Sequence, residues 1–82
     1  MLFHITQTHD GPNCPVDAGG SSELYNQNAD GAKLQAMYGA FPEHSIYYLV
    51  EAESMDAVNE FLLPGFKRCT SKITPVSEEA IV

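Results

Sequence analysis

The amino-acid sequence predicts an α+β domain built on a four-stranded antiparallel sheet. Three observations lead there. LFHITQT at 2–8 and SIYYLVEA at 45–52 are rich in β-branched and aromatic residues, the composition of strands. FKRCTSKITPV at 66–76 alternates polar and apolar residues in the same way. Between the last two lies MDAVNEFLL at 55–63, with its apolar residues at helical spacing. Eighty-two residues leave room for one domain, assigned to 1–76, with a C-terminal tail at 77–82.

Each element has its own local grounds. In the first strand Phe3 and Ile5 alternate with His4, Thr6 and Thr8, the period of a half-buried strand, and Asp10-Gly11-Pro12-Asn13 ends it with turn chemistry. Residues 15–31 are polar and hold Gly19-Gly20-Ser21-Ser22; Ser22 is placed to cap a short helix through Glu23, Leu24 and Tyr25, ending near Asp30-Gly31. The stretch AKLQAMYGAF at 32–41 admits two readings. Its Ala, Leu, Gln and Met favour a helix by propensity. Its alternation, with Leu34, Ala36 and Tyr38 on one side and Gln35 and Met37 on the other, favours a strand. The turn Pro42-Glu43-His44 and the strong strand after it favour a hairpin.

Ser54 is a good N-cap, and Asp56 in the first turn suits the helix dipole. Ala57, Val58, Phe61 and Leu62 form one helical face, and Pro64-Gly65 ends the helix. The tail SEEAIV reads as a loose extension or as a segment that packs on a partner.

The resulting order, β-α-β-β-α-β, is the split β-α-β, ferredoxin-like pattern. Right-handed crossovers place the first and third strands in the centre, antiparallel, the second and fourth at the edges, and both helices on one face. Phe3, Ile5 and Leu49 are expected on the helix side, and His4, Thr6, Thr8, Ile46, Tyr48 and Val50 on the other. So apolar a bare face calls for cover by a second subunit, giving a homodimer with two sheets face to face.

Composition narrows the partners. Eleven acids against four bases give a net charge of −7, with the one basic cluster at Lys67, Arg68 and Lys72. Nucleic acid and anionic membrane surfaces both select for clustered Lys and Arg, so neither is expected as a partner. Apolar runs are too short to span a bilayer, and the first residues lack a secretory signal, which makes a cytoplasmic location the expectation. Two cysteines, Cys14 and Cys69, match no CxxC motif and are expected as free thiols; a Cys14–Cys69 disulfide is the alternative.

The chain's histidines and cysteines carry the functional expectation. Antiparallel pairing brings the start of the third strand, at His44, beside the end of the first, at His9, with Cys14 in the loop beyond and Cys69 nearby. His9, Cys14 and His44 are therefore a candidate metal site, since imidazole and thiolate are the ligands of zinc, copper and nickel. His4 and His9 are five residues apart and fall on opposite faces of a regular strand, so His4 lies apart from this group. The plainer alternative is that His9 and His44 only make hydrogen bonds at a turn. Asp10 has two candidate roles, orienting His9 or forming the turn.

The stretches LFHITQTH, FPEHSIYYLVEAESMDAVNEFL and KITPV resemble small bacterial proteins of the dimeric α+β barrel superfamily, which also holds muconolactone isomerases and antibiotic-biosynthesis monooxygenases. The resemblance implies the fold and transfers no catalytic residue; residues 15–31 are shorter and richer in glycine than that superfamily's usual first helix. Three functions stand side by side. The first is a homodimeric module binding a metal or small ligand through His9, Cys14 and His44. The second is an isomerase- or monooxygenase-like enzyme with His4 as acid/base and Tyr48 beside it in a cavity. The third is a structural dimer with no site.

Overall fold

The computed structural model describes residues 1–79; the last three residues of the tail lie outside the described residues. Four strands form one sheet: β1 (Leu2–His9), β2 (Ala32–Ala40), β3 (Ser45–Ala52) and β4 (Cys69–Val76). Their order is β2-β3-β1-β4, and every neighbouring pair is antiparallel. β1 and β3 are thus central and β2 and β4 are edges, as expected. Residues 32–40 are a strand, which decides for the hairpin. No helix among the described residues is long and apolar enough to cross a membrane.

The helix α1 (Met55–Leu62) begins at Ser54, whose Oγ accepts the Ala57 N–H at 3.2 Å. Its buried residues are Ala57, Val58, Phe61 and Leu62, the face anticipated from their spacing. A short 3₁₀ turn, Leu63–Gly65, finishes it where Pro64 removes a backbone donor.

Two expectations are corrected. The first concerns the link from β1 to β2, which carries three 3₁₀ turns, Gly11–Asn13, Pro15–Asp17 and Gly20–Leu24, in place of the expected helix. Gly19 and Gly20 adopt φ of +107° and +80°, left-handed backbone that interrupts a right-handed helix. Ser22 caps nothing; its hydroxyl donates to the Gly19 carbonyl. The link still closes the core. Leu24 is fully buried, and the Tyr25 ring meets Tyr48 and Phe61, each at 5.4 Å between centroids. A three-ring cluster fills the space a first helix would cover.

The second correction concerns the faces. β1 pairs Phe3 with Val50, Ile5 with Tyr48 and Gln7 with Ile46, so these six share the face under α1. Ile46, Tyr48 and Val50 are therefore core, while Leu49 lies opposite His4 on the open face. β3 has apolar residues in both phases of its alternation, and the five-residue run Ile46–Val50 does not itself say which phase is buried. In β2 a bulge at Gln35 shifts the register, so Leu34 opposes Val50 while Ala36 and Tyr38 oppose Leu49 and Tyr47. Leu34 and Tyr38 consequently lie on different faces.

Gln7 is a fully buried polar residue and has its partners. Its Oε1 accepts the Tyr48 hydroxyl at 2.7 Å, and its Nε2 donates to the Leu24 carbonyl at 2.9 Å. Burial pushes the Tyr48 pKa well up, which keeps the phenol protonated and donating. Gly65 packs against this junction so closely that a Cβ there would stand 2.6 Å from both Gln7 Nε2 and the Leu24 oxygen.

Candidate metal centre

Three local structures deliver three side chains to one end of the sheet. His9 ends β1, and its N–H donates to the His44 carbonyl at 3.0 Å, extending the β1–β3 ladder by one step. His44 closes the turn Phe41–Glu43 in left-handed conformation, φ +53°, with its N–H bound to the Phe41 carbonyl. It is the one non-glycine residue with positive φ among the described residues. Histidine tolerates this region better than most residues, yet the conformation is uncommon and tends to persist where surrounding structure demands it. Cys14 sits between the 3₁₀ turns Gly11–Asn13 and Pro15–Asp17, each with proline at its start. Asp10 locks the first of these turns by accepting from the Asn13 N–H and side-chain amide, so its carboxylate serves the turn and not the His9 ring.

The outcome is a compact donor set. One ligand atom from each of His9, Cys14 and His44 lies within 4.8 Å of the others. His9 Nε2 and His44 Nδ1 are 3.3 Å apart, with the rings at 73° to each other. His9 is buried, while Cys14 and His44 are half-buried. Burial first, and the adjacent His44 second, lower the His9 pKa, with Asp10 pulling weakly the other way. This favours the neutral imidazole, the form that binds a metal. Its Nδ1 is buried without a hydrogen-bond partner. A shared proton between the rings would leave that atom unpaired in either tautomer, so the pair is not a self-sufficient hydrogen-bonded unit.

The three residues line one wall of a cleft of about 220 Å³. Pro15, Val16, Phe41 and Ile46 supply its apolar lining, with glycines and serines between them, and the Phe41 ring stands 6.2 Å from that of His44.

The other candidates fall elsewhere. Cys69 pairs with His9 across β1 and β4 yet is outside the donor set; burial raises its pKa, keeping it a thiol. Cys14 and Cys69 are both free, so the alternative disulfide is not formed. His4 is exposed on the open face beside Tyr47, with centroids 6.2 Å apart. Tyr48 lies on the opposite face, in the core, so the cavity expected to join His4 and Tyr48 does not form. Gln7, Phe41 and Val16 escaped notice in the sequence. The signal for Gln7 was its place in the phase of Phe3 and Ile5; apolar residues beside prolines in turns were the signal for the other two.

Comparison with family models, with curated proteins and with solved structures gave no match.

Proposed function

We propose that the protein is a small binding module that holds a late first-row transition metal, zinc foremost, through His9, Cys14 and His44. The separation of 3.3 Å between His9 Nε2 and His44 Nδ1 carries this reading. Two imidazoles bound at about 2.0–2.1 Å to a tetrahedral zinc have nitrogens roughly 3.3–3.4 Å apart. Their spacing thus suits a metal once the two lone pairs turn toward a common point and the Cys14 thiolate draws in. Copper and nickel share these ligand preferences and are the competing occupants. Three protein donors leave a fourth position open, the pattern of sites that exchange a ligand.

The same reading takes the sheet as ferredoxin-like, its first helix replaced by 3₁₀ turns, and the chain as a homodimer joined through the open sheet face. That face keeps Leu2, Tyr38, Tyr47 and Leu49 as apolar cover, and light scattering on a dilute sample tests it by reporting twice the chain mass.

The metal test is direct. Protein purified without a histidine tag and titrated with zinc should bind one equivalent and melt at a higher temperature, since a ligand held only by the folded state stabilises it. Cys14→Ser should weaken zinc binding by at least about a hundredfold, more than the loss seen for groups that only support a ligand. A wild-type melt indifferent to zinc, copper and nickel defeats the proposal.

A further inference from the structure

The cleft beside the donor set is more than a vestibule, and its lining specifies an occupant. We infer that the open fourth position of the metal takes a small organic monoanion: a carboxylate or thiolate head carrying an apolar body. This rests on the metal reading above. A divalent ion, one thiolate from Cys14 and two neutral imidazoles sum to a single positive charge. No residue lining the cleft carries a carboxylate to balance it. A net charge against apolar walls is costly unless paired, and one anionic donor pairs it. The net charge of −7 on the whole chain opposes anions of higher charge, such as phosphate.

Size and walls specify the body. An apolar cavity of ~150 Å³ accommodates benzene. A cleft of about 220 Å³ has room for one ring and its head group. Phe41 and Val16 line it while 71% and 59% exposed, apolar surface that a bound ligand would cover. The Phe41 ring stands near His44, so a ligand bound at the metal has an aromatic neighbour. The head group displaces water from the metal, and a thiol would release its proton to the buffer on binding.

Cobalt(II) serves as the spectroscopic probe in the full chain. Cobalt bound by His9, Cys14 and His44 should show visible ligand-field bands and a sulfur charge-transfer band. Benzoate and benzenethiol, added separately, should each change the visible bands saturably, and the two arms separate the carboxylate from the thiolate head. Acetate should bind at least about tenfold more weakly than benzoate, for want of an apolar body. The double variant Val16→Ser/Phe41→Ser, at two exposed positions, should lose about tenfold in benzoate binding with cobalt uptake unchanged. Absence of any cobalt spectrum overturns the metal reading and this inference with it. A cobalt spectrum that ignores both probes, or equal binding of acetate and benzoate, or a double variant that binds benzoate as before, overturns the ligand inference alone.

Discussion

The face under α1 and the His9 end of the sheet are held by different means. Under α1, Ile5, Val50, Val58 and Phe61 are sealed in an apolar core, and the rings of Tyr25, Tyr48 and Phe61 meet tilted or edge to face. At the His9 end three tight turns, each with a proline, and a left-handed histidine hold the donor side chains around a cleft. The first contributes stability through burial. The second carries an uncommon backbone conformation and an unpaired buried nitrogen, and it is where the donors meet. Stability and function are therefore expected to respond to different substitutions.

The largest effect should come from the core. Phe61→Ala is expected to cost about 3–5 kcal/mol, a large share of the ~5–15 kcal/mol typical of a folded domain. Urea titration would show a midpoint shifted far down, or no folded baseline; a shift under about 1 kcal/mol would break the contrast. Gln7→Ala comes next. It leaves the Tyr48 hydroxyl and the Leu24 carbonyl without partners, at about 1–3 kcal/mol for a buried unpaired group, and loosens the link at Leu24. The same titration measures it.

His44→Gly sharpens the comparison from the other side. Glycine accepts φ of +53° freely, and a left-handed residue with a side chain costs ~1–2 kcal/mol. The metal-free variant should be as stable as wild type or up to about 1 kcal/mol more so, while losing zinc binding. A marked loss of stability would mean that the site end is structural after all.

The smallest effect is one of pH. Burial lowers the His9 pKa from 6.5, so the unfolded chain takes up a proton that the folded chain resists. Metal-free stability should be constant above that pH and fall as pH drops from 6.5 toward the lowered value, because the unfolded state then binds more protons. Melting temperatures across pH 5–8 would show the slope, and His9→Gln should flatten it.

How far the sequence spoke differs by element, for physical reasons. β1, β3 and α1 declare themselves through alternation, a serine cap and helical spacing, all local. The meeting of His9, Cys14 and His44 was also legible, because antiparallel pairing leaves the start of β3 no place but beside the end of β1. What stayed hidden was phase. Ile46–Val50 is apolar at every position, so only partner strands decide that Tyr48 faces inward and Leu49 outward. The Gln35 bulge reverses faces within one strand without any glycine or proline to mark it. The link from β1 to β2 carries no such local signal, because Leu24 and Tyr25 pack by long-range contact and not by a repeating pattern.

That bulge also bears on how the molecule avoids its own kind. An unpaired strand margin is a template on which further chains can polymerise. Here β2 is kinked at Gln35, and β4 interrupts its own row of donors with Pro75 and projects Lys72. Both rims of the sheet are thereby poorer templates for a further strand.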